Sequence, residues 1–268
     1  MIHAWLELPP LAIFATLIVV YFGTVALLGA LNWRSPRTVF FRSLIGLTPP
    51  FFGALAVLFA LLISFLSSDI GERNRLANRA VQVEAGEMRN IHTLSVASAS
   101  DMRTIRAALK DYIASVLHDE WPAMAANATS PRTDTAFDHL LREISDPQIA
   151  LASGQAVHAA LINAAIRAGT ARSERLALAG DRTNTLKWAS VLILGLMTLI
   201  AIALVHVGHP WRAFITALVV FSSAAVVVIG LVAVQEDPFN GVFRISPVPI
   251  ERLQSLSVTV TPPDTPAR

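Results

Sequence analysis

Long apolar runs alternate with polar stretches along this chain, and four of the runs reach the length of a membrane span. A hydrocarbon core about 30 Å thick requires about 20 apolar residues in a helix. The runs cover residues 11–31, 44–66, 188–205 and 212–234, and Arg212 at the edge of the last is their only charged residue. The pattern predicts four transmembrane helices, arranged as two pairs.

Tryptophan positions support this assignment. The indole ring is apolar but its N–H requires a polar partner, so tryptophan is enriched at membrane interfaces. Four of the five tryptophans lie at an edge of a run or in an adjoining loop: Trp5, Trp33, Trp188 and Trp211. The first run is too long for a cleaved signal peptide, and residues 1–10 contain no Lys or Arg, so it is expected to remain as a span.

Most of the charged residues lie between the two pairs, in residues 67–187. Apolar positions recur there at steps of three and four, which is typical of helices packed on one face. The predicted helices cover about 69–97, from Ser100 to the Asp119-Glu120-Trp121-Pro122 word, from Ser130-Pro131 onward, and about 148–180. Asp119 and Glu120 are interpreted as charges at a helix end. The first and last of these helices are expected to continue into the second and third spans.

The chain is therefore predicted to be an all-α membrane protein with four transmembrane helices, two on either side of a central helical extramembrane domain. The predicted parts are a transmembrane hairpin over 1–66, the helical domain over 67–187, a second hairpin over 188–234, and a tail over 235–268 whose end is disordered.

Composition agrees with this class and excludes several others. Of 268 residues, 54% are hydrophobic and 15% are charged, compared with about 25% charged residues in soluble domains. A net charge of +2 leaves no electrostatic footprint for nucleic acid. The absence of cysteine excludes disulfides and thiol chemistry. No catalytic constellation and no complete set of metal ligands are found, so the chain is not expected to be an enzyme or to hold a structural metal.

Basic residues in the short loops predict the orientation. Arg34, Arg37 and Arg42 lie between the first two spans, and Arg212 lies between the last two, without neighbouring acids. The positive-inside rule then places both short loops in the cytoplasm. The central domain and both termini would lie on the other side, in the periplasm if this is a bacterial inner-membrane protein.

Several sequence words resemble those of the bestrophin-like family of bacterial membrane proteins. They are the run 80–85 (AVQVEA), Tyr112 with the 119–124 word (DEWPAM), the 236–241 word (EDPFNG), and Ser246-Pro247. The arrangement of two helices, a domain and two helices matches as well, so the resemblance covers nearly the whole chain. The 32–50 region departs from the family pattern.

The resemblance implies a fold and, more remotely, an activity. Bestrophins are homo-oligomeric anion channels with a hydrophobic neck on the second membrane helix. They bind calcium near a comparable Pro-Phe-Gly word, and they keep the helical domain and termini in the cytosol, opposite to the side that the arginines indicate here. By analogy, the expected partners are four further copies of this chain, the lipid bilayer and inorganic ions.

Two sets of residues are candidate sites. A neck on the second span would be lined by Phe52, Leu55, Phe59, Leu62 and Ile63, which could gate by dewetting; the alternative is that they touch lipid or another helix. Oxygen ligands for a cation such as calcium are available in Glu236, Asp237 and Asn240; the alternative is a turn that ends a helix. No other cofactor is predicted.

Two functions remain open. The first is a homo-oligomeric ion channel or channel-like pore, with anions as the expected ions. The second is a non-conducting membrane sensor or scaffold whose helical domain binds a partner. No Asp, Glu, Lys or Arg lies inside any span, which argues against a proton-coupled transporter.

Overall fold

The computed structural model describes residues 2–34, 48–98, 100–125 and 128–259, and across these ranges it is helical with no strand. It divides into two compact units. The membrane unit comprises Met1–Glu72, Arg182–Asp237 and Gly241–Phe243; the helical unit comprises Arg73–Asp181, Pro238–Asn240 and Arg244–Arg268. The hydropathy pattern placed the domain boundaries at residues 66 and 187, next to the end of the second apolar run and the start of the third. The compact units divide instead after Glu72 and after Asp181.

The helices of the membrane unit agree with the four predicted spans. They are α1 Ile2–Leu6, α2 Pro10–Arg34, the first part of α3 Thr48–Ala97, α9 Thr185–His206 and α10 Trp211–Ala233. Four of them are long and apolar enough to cross a membrane, over Pro10–Leu31, Phe52–Ala97, Thr185–His206 and Trp211–Ala233. The prediction of four transmembrane helices is confirmed. Arg37 and Arg42, used for the orientation, lie outside the described residues.

Close packing of large side chains against glycine holds the membrane unit together. Tyr21 of α2 is fully buried, and its ring and that of Phe59 lie against Gly195 of α9. On α10, a Cβ at Gly230 would come within 2.7 Å of Phe14 Cζ. Small residues at such positions let membrane helices approach closely, where dispersion forces rather than hydrophobicity drive association.

The helical unit is built from shorter elements. They are the second part of α3, α4 Arg103–Ser115, a π-helix at Val116–Glu120, α5 Trp121–Ala125, α6 Pro131–Ile144, α7 Pro147–Ser153, α8 Gln155–Gly180 and α11 Val248–Glu251. The predicted helix start at Ser130-Pro131 is observed, and Ser130 caps α6 by accepting a hydrogen bond from Thr133 N at 3.3 Å. The predicted first domain helix and second span form one continuous helix, α3.

Three expectations for the helical unit were wrong. The helix predicted to run from Ser100 begins at Arg103 instead, with Met102 as its N-cap. Pro122 does not end the helix, because a π turn directly precedes it and the proline falls in the first turn of α5, where a missing N–H is tolerated. The predicted helix at 148–180 is broken at Gly154, whose φ of 86° is strained for other residues.

The connection to the third span also differs from the prediction. Helix α8 ends at Gly180, and α9 begins at Thr185 after Asn184, whose side chain caps it by accepting from Leu186 N at 2.8 Å. Part of the predicted tail is folded, since Phe239, Ile250 and Leu253 are buried in the core of the helical unit. The last residues predicted to be disordered, 260–268, lie outside the described residues.

Candidate functional site

The face of α3 predicted to line a neck packs inside its own chain. Leu55 and Ile63 are each only 8% exposed. Phe52, Phe59 and Leu62 are half-buried against the core of the membrane unit, and the Phe59 ring lies 5.9 Å from that of Phe221. No described contact places these side chains around an axis, so their pore-lining role stays a prediction.

The opposite face of α3 is uncovered. Val57, Leu61 and Phe65, spaced by four residues, are 59%, 50% and 67% exposed. Ser64 and Ser68 continue this exposed face toward the end of the apolar run. Because α3 is apolar on both faces, periodicity alone did not distinguish the packed face from the open one.

Glu236 is held by donors from the start of α9. Its carboxylate is 2% exposed and accepts hydrogen bonds from Thr183 N at 2.7 Å, Thr183 Oγ1 at 3.0 Å and Trp188 Nε1 at 3.3 Å. Asp237, next to it, pairs with Arg182 at 2.8 Å. These contacts tie the end of α10 to the beginning of α9 within the membrane unit.

The predicted cation ligands therefore have protein partners. Asn240 is exposed and belongs to the helical unit, whereas Glu236 and Asp237 belong to the membrane unit. Within the described residues, no group of three or more His, Asp or Glu side chains is gathered as for a metal. The cation site stays a prediction.

A buried chain of ion pairs lies at the centre of the helical unit. Arg175 on α8 donates to Glu84 on α3 at 2.6 and 3.0 Å, and to Glu120 in the π-helix at 2.6 Å. The side chains of Arg175, Glu84 and Glu120 are fully buried. Arg172 continues the chain by pairing with Glu120 and with Asp134. Two buried carboxylates are thus matched by two guanidinium groups, as burial of charge requires.

Neutral and aromatic groups complete this network. Tyr112 donates its hydroxyl to Glu84 at 3.0 Å, and Arg175 donates to Met124 Sδ at 2.9 Å. The Trp121 ring lies under the Arg175 guanidinium, 5.5 Å from ring centroid to Cζ, a cation–π contact. The interpretation of Glu120 as a simple helix-end charge was wrong, because the helix continues through the π turn and directs this carboxylate into the core.

Burial and pairing in this network shift the pKa values of two arginines and a tyrosine. Burial acts to lower the pKa of the Arg175 guanidinium, but its pairing with Glu84 and Glu120 raises that pKa above its ordinary value. Burial also acts to lower the pKa of Arg172, but its pairing with Glu120 and Asp134 raises that pKa above its ordinary value. Burial, reinforced by the charge of Glu84, raises the pKa of the Tyr112 hydroxyl well above 10.0. Both arginines and the tyrosine therefore stay protonated at neutral pH.

The raised pKa of Tyr112 makes a pH-dependent prediction. Below pH 10.0 the hydroxyl is protonated in both states, and its contribution to stability is fully present. As the pH rises further, the unfolded tyrosine ionises first, so the contribution is lost as the pH rises through the folded-state pKa, by up to about 1.4 kcal/mol per pH unit. Denaturant unfolding of wild type and Tyr112→Phe at about pH 8 and pH 11 measures this difference. A stability difference that is the same at both pH values would contradict it.

Both the sequence and the fold of this chain are similar to those of known proteins. A bestrophin-like domain model matches residues 19–250. A variant of a bacterial bestrophin homolog from Klebsiella pneumoniae superposes with a TM-score of 0.68 at 15% identity, covering 89% of this chain and 96% of that one. The same homolog, phased with zinc, gives a TM-score of 0.64 at 14% identity, with coverages of 88% and 96%. A further crystal structure, described only as a membrane protein variant, gives 0.69 at 14% identity, with coverages of 92% and 99%. The search of curated proteins returned no match.

Proposed function

The chain belongs to the bestrophin-like family, and from that premise we propose that it assembles with copies of itself into an ion channel, conducting anions through a hydrophobic neck on α3. The family and the shared fold support a channel-type assembly. Five copies are proposed by analogy with bestrophins. A channel of this kind performs no covalent chemistry, so the proposed function is not enzymatic.

The observation that carries the proposal is the uncovered face of α3. A helix that lines a central pore must present one face that its own chain leaves open, and Val57, Leu61 and Phe65 form such a face. Rings of these side chains around an axis would make an apolar constriction able to gate by dewetting. Ser64 and Ser68 would offer hydroxyl groups beside it.

Two faces of α3 are therefore candidates to line the neck. Of the sequence-based set, Phe52, Phe59, Leu62 and Ile63 pack in or against the membrane unit's own core, and Leu55 is buried as well. Using that set for a neck would require α3 to leave this core. We therefore place the neck on the exposed face, while lipid contact on the same face is the non-conducting alternative.

Single-cysteine labelling distinguishes these possibilities, because the natural chain has no cysteine. In liposomes containing Leu61→Cys, a membrane-impermeant thiol reagent is expected to block chloride flux. Phe59→Cys, matched on the packed face, and the cysteine-free wild type are expected to be unaffected. Block in Phe59→Cys alone would move the neck to the packed face, and active channels whose flux neither substitution makes sensitive would contradict a neck on α3.

The membrane and the orientation of the chain in it are part of the same proposal. A bacterial inner membrane is proposed from the likeness to bacterial bestrophin homologs, and the loop arginines support an orientation with the central domain and both termini in the periplasm.

Calcium binding at Glu236 and Asp237 has its own test. Calcium is expected to raise the thermal unfolding midpoint of wild type and to leave that of Glu236→Gln unchanged, because the substitution removes one carboxylate ligand. Asp101→Asn, which removes a carboxylate elsewhere, serves as the control. An equal calcium-dependent shift of the unfolding midpoint in wild type and Glu236→Gln would contradict calcium binding at this site.

A further inference from the structure

A polar groove runs along the helical unit between α3 and the segment 245–252. Its cavity volume is about 540 Å³, within the range of pockets that hold small organic ligands. Five polar side chains line it: Asn78, Gln82, Arg89, Ser246 and Arg252. Ala85, Ile245, Val248 and Pro249 supply the apolar part of its wall.

The two arginines of the groove carry uncompensated charge. Across the part of the chain that the structure describes, neither Arg89 nor Arg252 forms an ion pair. By contrast, Arg167, Arg172 and Arg175 of the same unit each pair with a carboxylate. The nearby Glu87 pairs with Arg167 rather than with Arg89. The groove is therefore positively charged.

Glycine keeps the groove open on the α3 side. A Cβ added at Gly86 would meet no atom within 4 Å, so a side chain at this position would project into free space. Glycine is unfavourable in the interior of a helix, and no packing contact at Gly86 explains it. Its effect on the molecule is to leave room beside Gln82 and Arg89.

We propose that this groove binds a small organic oxyanion, with Arg89 and Arg252 holding its carboxylate or phosphate group and Asn78 and Gln82 bonding to its other polar atoms. Guanidinium groups bind both oxyanions through paired N–H donors. The side-chain amides both donate and accept, which suits hydroxyl or carbonyl groups on the same ligand. The site lies within the helical unit and does not depend on whether the protein conducts ions.

Calorimetric titration of the full-length chain in detergent tests the site, using inorganic phosphate and succinate as probes and chloride at matched ionic strength as the reference. Saturable binding of at least one probe is expected, and the probe that binds identifies the oxyanion class. Arg89→Gln and Arg252→Gln are each expected to weaken it by about tenfold or more, since each removes charged hydrogen bonds. Gly86→Leu is expected to weaken it as much by filling the groove, without changing any charge.

Arg79→Gln is the matched control, because Arg79 is an exposed arginine on the same helix that does not line the groove. It is expected to leave the affinity within about twofold of wild type, as for an exposed, screened charge that does not line the groove. The proposal is overturned if neither probe saturates, if the three groove variants bind as wild type does, or if Arg79→Gln weakens binding as much as they do. Each variant's unfolding midpoint is compared with that of wild type, so that lost binding is not mistaken for lost folding.

Discussion

Arg175→Met is expected to lower the free energy of unfolding by about 3–5 kcal/mol, because it leaves buried carboxylates without their main partner. Among the described residues, Arg175 is the one side chain that pairs with both Glu84 and Glu120. Methionine approximates its aliphatic volume, so the change removes charge and hydrogen bonds more than packing. Thermal or denaturant unfolding in detergent measures the effect.

Arg167→Met is the control on the same helix. Arg167 pairs with Glu87 at 2.8 Å but is 60% exposed, and exposed ion pairs contribute about 0–1 kcal/mol. Comparable losses in the two variants would mean that burial of the network does not determine its contribution. Adding Glu84→Gln to Arg175→Met is expected to recover part of the loss, because it removes one of the uncompensated charges.

Leu61→Ala is expected to raise ion flux through reconstituted protein by about tenfold or more, corresponding to a barrier lowered by about 1.4 kcal/mol. Shortening an exposed apolar side chain in every subunit widens the proposed constriction and favours its wetting. Since Leu61 is half exposed, the change should cost little stability within one chain. Flux assays in liposomes with equal protein content measure the effect.

Phe59→Ala is the comparison on the packed face. Its ring contacts Phe221 and lies against Gly195. Because the ring is half-buried, removing it is expected to destabilise the membrane unit, by less than the roughly 3–5 kcal/mol typical of a fully buried aromatic ring. It should not raise the flux. A larger rise in flux for Phe59→Ala than for Leu61→Ala would restore the sequence-based assignment of the neck.

The transmembrane part of the fold could be predicted from the sequence because the bilayer imposes a length and a composition on each span. The orientation of α3 within the bundle could not, because Val57 and Leu61 are as apolar as Leu55 and Ile63. In lipid, both the packed and the open face of a helix are apolar. Only the packing against α9 and α10 distinguishes them.

The helical unit was less predictable for local and tertiary reasons. Pro122 indicated a helix end, but the π turn before it let the chain continue. Gly154 broke a helix whose periodic pattern was uninterrupted. The arginines at 172 and 175 are three residues apart and so share a face of α8, which was the available signal for the network. Their partners, Glu84 and Glu120, lie on elements far away in sequence and are brought together only by folding.

The most direct test of the channel is ion flux through wild-type protein in liposomes, with chloride and potassium assayed separately and the assembly verified by native mass spectrometry. We expect an oligomer that passes chloride faster than potassium. A folded, oligomeric preparation that passes neither ion, as wild type and as Leu61→Ala, would contradict it.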